Sequence, residues 1–272
     1  MSRDPFYKAH WIEIDPDRMA AYREGFAWDE ATQRLFSPAM IKPDQTVADF
    51  GCGPGKVAIE LARQVGPSGH VYAFDINSEF LDITRSNARM LGVQDRLTAE
   101  YSDGSALPVA DQSLDRIVAR NAIMYVDDPV ETLCEFSRTL RAGGIAHVIE
   151  GDWYMMVAEP VDHAKWRSFV EAASHACRTA DMGRKLFAAF EAAGFVSVEV
   201  RIDAEPDVDG RLLGMIRNMA KYTVESGRVS NDFAAGVVEE MEDALTAGTY
   251  FVVSPRFVVT GRKPEVSGDQ NA

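Results

Sequence analysis

From residue 46 onward, short apolar runs with strand character take turns with stretches in which apolar positions recur every three to four residues. Residues 46–50, 70–75, 97–101, 114–119 and 144–150 are the runs. Between them, residues 56–65 carry Val57, Leu61 and Val65 on one helical stripe, and 79–91 align Phe80, Ile83, Ala88 and Leu91 ahead of a stop at Gly92. Residues 129–140 repeat the helical pattern. Strands alternating with helices predict an α/β fold, a parallel sheet with helices on both faces. Farther on, 183–193 is helical and stops at Gly194, 197–202 alternates like a strand, and 250–261 is β-rich around Pro255, which raises the strand count to seven.

Three segments fall outside the alternation: 1–45, 153–182 and 206–248, all helical in pattern and rich in methionine and aromatics. Ligands of open parallel sheets bind beyond the carboxyl ends of the strands, so these segments are expected to form a lid over that end. The predicted organisation is a helical lid segment at 1–45, a main domain at 46–264 with lid insertions at about 153–182 and 206–248, and a disordered polar tail at 265–272.

The chemistry concentrates at the strand ends. The run Asp49-Phe50-Gly51-Cys52-Gly53-Pro54-Gly55 passes from the first strand straight into a helix, a turn whose glycines allow positive φ and close backbone approach to a ligand. It differs from the Gly-x-Gly-x-x-Gly dinucleotide pattern by its acidic lead and by one residue fewer before the last glycine. Asp75 ends the second strand, where a carboxylate can accept both ribose hydroxyls. Asp103-Gly104-Ser105 forms an acidic turn after the third strand, suited to an adenine amino group or serving only as a turn. Arg120-Asn121-Ala122-Ile123-Met124-Tyr125 opens a loop past the fourth strand that can reach the reactive part of a ligand.

Composition narrows the partners. The 272 residues carry a net charge of −14 with no Lys/Arg-rich run, which sets nucleic acid and anionic membranes aside. No apolar run approaches the roughly 18 residues of a membrane helix and the start lacks a signal-peptide core, so a cytoplasmic location is expected. Cys52, Cys134 and Cys177 have neither disulfide nor zinc spacing, and no metal is expected. Cys52, although at a helix start, is assigned to packing, and His147 to the core.

With these residues in view, the chain resembles the class I S-adenosylmethionine-dependent methyltransferases, and within them the small-molecule branch related to ubiquinone and menaquinone biosynthesis. The likeness rests on residues 47–55, Asp75, 103–108 followed by 111–115, and 126–129 followed by 140–144, and runs from about 44 to 152. It implies a Rossmann-like, seven-stranded methyltransferase sheet with the last strand antiparallel. It also implies S-adenosyl-L-methionine as cofactor, S-adenosyl-L-homocysteine as product and a small-molecule acceptor. Asp49 and the loop of Gly51, Cys52, Gly53 and Gly55 would hold the methionyl part, Asp75 the ribose, Ile76 the ring, and Asp103, Gly104 and Ser105 the adenine. Arg120 and Asn121 complete the expected cofactor set. Arg120 is large and charged for its position; it would pair with a ligand acid or with a nearby Asp.

The acceptor is left open, as is the choice of O, N or C as methylated atom. Trp11, Tyr22, Met124 and Trp153 are the expected acceptor contacts, and His10, Tyr22 and Asp152 the candidate bases should one be needed. A monomer or homodimer is expected. The rival functions are an NAD-dependent oxidoreductase and a protein of this fold that uses the cofactor without methyl transfer.

Overall fold

The computed structural model describes residues 5–24 and 28–265. Its centre is a seven-stranded sheet built from β1 (Thr46–Phe50), β2 (His70–Asp75), β3 (Leu97–Tyr101), β4 (Leu114–Arg120), β5 (Leu140–Gly151), β7 (Val196–Asp203) and β9 (Arg256–Arg262), in the order β3-β2-β1-β4-β5-β9-β7. The first five strands run parallel, and β9 lies antiparallel between β5 and β7. Phe50 of β1 stands opposite Phe74 and Ala119, and Arg120 of β4 stands opposite Ile149. This register brings the ends of β1, β2, β4 and β5 into one row, so Gly51, Asp75, Asn121 and Glu150 emerge at the same edge.

Side chains alternate across the sheet as a strand period of two requires. Val47, Val71, Ala73 and Val118 face a core shared with α4 (Lys56–Val65), α5 (Ser78–Met90) and α3 (Glu30–Phe36). Ala48, Phe50, Phe74 and Val148 face the other core, with α6 (Pro129–Thr139) and α8 (Met182–Ala192). That second core continues beyond the sheet into α7 (His163–Ala173), α9 (Leu213–Glu225) and α10 (Asn231–Ala247). Against these lie α1 (Phe6–Ile12) and α2 (Pro16–Glu24), where the Phe6 and His10 rings pack on Tyr222 at 6.1 and 5.3 Å.

The β-rich stretch 250–261 corrects the expectation of one strand. It forms two, because Pro255 offers no N–H to continue a ladder. β8 (Phe251–Val253) leaves the main sheet and pairs antiparallel with β6 (Val157–Glu159), a strand absent from the sequence reading, while β9 alone joins the seven. The segment 153–182 is therefore part strand as well as helix. Of the expected disordered tail, residues 266–272 lie outside the described residues.

Candidate active site

The glycine loop is shaped by its backbone. Gly51, Gly53 and Gly55 have φ of +70°, +52° and +82°, a region that side chains with a Cβ rarely adopt. Two are also tightly packed: a Cβ on Gly51 would lie 2.5 Å from the Ala122 Cβ, and one on Gly55 would lie 2.4 Å from Thr84 Oγ1. Around Gly53 there is open space. The N–H groups of Gly51, Cys52 and Gly53 are already engaged within the fold. Those of Gly51 and Cys52 donate to the Phe74 carbonyl, and that of Gly53 donates to Asp75 Oδ2 at 2.8 Å. The Cys52 thiol is buried and its pKa is pushed well up by desolvation, so it packs rather than reacts.

Asp49, at the end of β1, keeps one buried carboxylate oxygen without a partner. Its side chain is 2 % exposed and takes the Ala58 N–H at the start of α4, while Oδ2 has no hydrogen-bond partner. Burial first, and then the nearby Asp75 charge, raise its pKa to about 7. A buried acceptor of this kind fits a cationic donor arriving over the open glycine. Arg120 adds positive charge on this side; burial lowers its pKa to about 10, and Asp29 and Asp49 oppose the shift.

Asp75 is also buried, with Oδ2 on Gly53 N and Oδ1 accepting from Asn77 N at 2.8 Å; burial raises its pKa to about 6. Ile76 is half-buried beside it. Asn77 caps α5 through the Phe80 N–H and donates from Nδ2 to the carbonyls of Trp11 and Ile12 at 2.8 and 3.2 Å. Trp11 and Tyr22 are thereby brought to this edge, and Tyr22 meets Phe80 edge-on at 5.7 Å. Asp103 turns back on itself, its Oδ1 accepting from Ser105 N and Oγ at 3.0 and 2.7 Å, which lowers its pKa. Gly104, with φ of +90°, lies against Phe50 and Val126.

Beyond β4 and β5 the expected residues separate. Asn121 is exposed, has φ of +50° and donates its N–H to the Ile149 carbonyl. Met124 is turned into the core, 2 % exposed, and its carbonyl accepts from the backbone N–H groups of Arg178 and Thr179. Trp153 is buried and stacks on Tyr222 at 6.5 Å. Asp152 is not a free base: both oxygens are engaged by Arg184 and Oδ1 also accepts from Tyr154 N, so it fixes the chain after β5. His10 donates from Nδ1 to the Phe6 carbonyl at 2.5 Å, so its Nε2 carries the lone pair and has no partner; burial lowers its pKa to about 4.

Other residues of this region escaped the sequence reading. Arg18 is 5 % exposed, with its guanidinium 5.1, 5.9 and 5.4 Å from the ring centres of Trp11, Tyr22 and Tyr222. It forms a cation–π cluster that locks α2 to the aromatic set. Tyr125, Tyr222 and Glu150 also gather here. For Glu150 a signal was present, an acid closing an apolar run, but Asp152 two residues on gives the same signal.

Comparisons agree with this geometry. A family model described as a methyltransferase domain matches residues 41–194, more than half of the chain. The chain is 31 % identical over 144 residues to the methyltransferase GfsG of Streptomyces halstedii, covering 53 % of this chain and 50 % of that one. It is 29 % identical over 137 residues to the demethylmenaquinone methyltransferase of Lactobacillus johnsonii, covering 50 % and 55 %. The chain thus spans about half the length of these curated relatives. Its fold is shared with the geranyl diphosphate C-methyltransferase of Streptomyces coelicolor, solved with S-adenosyl-L-homocysteine (TM-score 0.56, 18 % identity, 86 % of this chain and 79 % of that one). It is also shared with the [4+2]-cyclase SpnF (TM-score 0.55, 22 % identity, 89 % and 85 %). The sheet order, the row of strand-end carboxylates and the family model meet on the same residues, and the chain belongs to the methyltransferase domain family.

Proposed function

We propose that the protein transfers the methyl group of S-adenosyl-L-methionine to a small-molecule acceptor. The observation that carries this reading is the orphaned, buried Asp49 Oδ2 beside an open Gly53, in a row with Asp75. Asp49 would hold the cofactor's ammonium, Asp75 the ribose hydroxyls, with Ile76 and the turn at Asp103–Gly104–Ser105 toward the adenine, and Arg120 and Asn121 at the methionyl end. The cofactor supplies a methyl group already activated by a positive sulfur, so the protein's work is alignment, exclusion of water and handling of the acceptor's proton.

The helices α1, α2, α7, α9 and α10 serve as the lid under which the acceptor is held. Trp11, Tyr22 and Trp153 form its aromatic wall, together with Tyr125 and Tyr222. No described helix is long and apolar enough to cross a membrane.

A thermal-shift series separates this reading from a nicotinamide oxidoreductase. S-adenosylmethionine should raise the melting temperature in a concentration-dependent way while NAD leaves it unchanged; the reverse result overturns the proposal. Because SpnF, named a [4+2]-cyclase, shares the fold, cofactor binding alone does not establish transfer. Appearance of S-adenosylhomocysteine during turnover distinguishes transfer from use of the cofactor without it.

A further inference from the structure

Glu150 is the penultimate residue of β5, on the face where Val148 and Ala146 join the α6–α8 core, and its side chain is fully buried. One oxygen is fixed: Oε1 accepts from the N–H groups of Ala122 and Ile123 at 2.8 and 2.6 Å. The other, Oε2, is buried with no hydrogen-bond partner. Ala122 in turn closes on the glycine loop at Gly51. The carboxyl is thus held one residue from the wall of the proposed cofactor site. Its charge is felt by Tyr125 and Cys177, and the Cys177 thiol is hydrogen-bonded with Tyr125.

Leaving a carboxyl oxygen buried and unpaired is costly, and in a site that binds ligand such an atom marks where a donor arrives. We propose that Glu150 Oε2 faces the position of the transferred methyl group and is the proton acceptor for a small molecule methylated at an O–H or N–H. This assignment rests on the methyltransferase reading above. The acceptor's lone pair forms the new bond to carbon, the carbon–sulfur pair stays on sulfur, and the acceptor's proton passes to Oε2.

Burial raises the Glu150 pKa to about 8, with the N–H groups of Ala122, Ile123 and Met124 opposing the shift. A carboxylate with that affinity for a proton is a stronger base than His10, which burial lowers to about 4. Asp152, engaged by Arg184, does not compete for the role.

The test needs no knowledge of the acceptor. Sinefungin carries an amine where the sulfonium methyl stands, whereas S-adenosylhomocysteine carries nothing there. Calorimetry at pH 8.5 should show the wild type binding sinefungin about tenfold or more tighter than S-adenosylhomocysteine, the gain of a charge-assisted hydrogen bond. In Glu150→Gln, which keeps an oxygen for Ala122 and Ile123, S-adenosylhomocysteine affinity should stay within about threefold and the sinefungin advantage should vanish. Equal affinities in the wild type, or an advantage that survives the substitution, overturn the assignment; should the variant fail to fold, the wild-type advantage must shrink at pH 6.5, where Glu150 holds its proton, and an advantage unchanged between pH 6.5 and 8.5 overturns it. Absence of S-adenosylhomocysteine binding in the wild type instead overturns the methyltransferase reading beneath it.

Discussion

Gly51 and Gly53 sit two residues apart with similar backbone angles, yet the structure assigns them different costs of substitution. Gly53→Ala meets open space, so only the left-handed backbone is penalised, about 1–2 kcal/mol. Gly51→Ala adds a Cβ 2.5 Å from the Ala122 Cβ, which should cost a further 1–3 kcal/mol or so of overpacking. Denaturant unfolding of the two variants checks the order; equal losses would mean that the Ala122 contact yields freely. The glycines and the acids Asp49 and Asp75 were legible in the sequence because chain position alone ties them to strand ends. Arg18 was not, because a charged residue announces burial only once the fold has surrounded it, and Glu150 was masked by Asp152, which gives the same strand-end signal.

At the scale of elements, the decisive junction joins α5 to α1. Asn77 caps α5 with its oxygen and holds the Trp11 and Ile12 carbonyls with its nitrogen. Asn77→Ser keeps a good cap and removes the tie, so stability should change by about 1 kcal/mol or less while amide exchange in α1 accelerates. Unchanged exchange would mean that the Arg18 cluster and the Asp127 bonds from Tyr7 and Lys8 hold α1 without it. The first four strands of the parallel sheet were readable because each is a short apolar run bounded by turn residues, whereas β5 starts at Leu140, four residues before the run that marks it. β6 and β8 were not: each has only three residues, and β8 is parted from β9 by no more than Ser254 and Pro255. Pro255 marks the break, but that β8 pairs with β6 is a long-range contact, and pairing leaves no local periodicity.

At the scale of the whole molecule, three buried carboxyls make stability depend on pH in an unusual direction. Asp75, Asp49 and Glu150 have pKa values raised to about 6, 7 and 8, from ordinary values of 3.8, 3.8 and 4.5. The folded state holds their protons more tightly than the unfolded chain does, so their contribution is complete below about pH 4 and is lost as pH rises toward 8. In the protein without ligand, their contribution to unfolding stability should therefore decline across that window, and Asp49→Asn should flatten part of the decline. A slope unchanged by Asp49→Asn would show that Asp49 ionises freely in the fold. A cationic ligand beside Asp49 favours its charged form, so cofactor binding near pH 6.5 should release protons, read as a dependence of binding heat on the buffer's ionisation enthalpy.

At the centre of the molecule the row of Asp49, Gly53 and Asp75 forms the proposed site for S-adenosylmethionine. Titration calorimetry with S-adenosylhomocysteine on wild type and Asp75→Ala tests it most directly. The account predicts binding in the micromolar range, weakened by roughly 10- to 100-fold in the variant as one or two hydrogen bonds to the ribose are lost. Absence of binding to the wild type, or equal affinity in the two proteins, would contradict it.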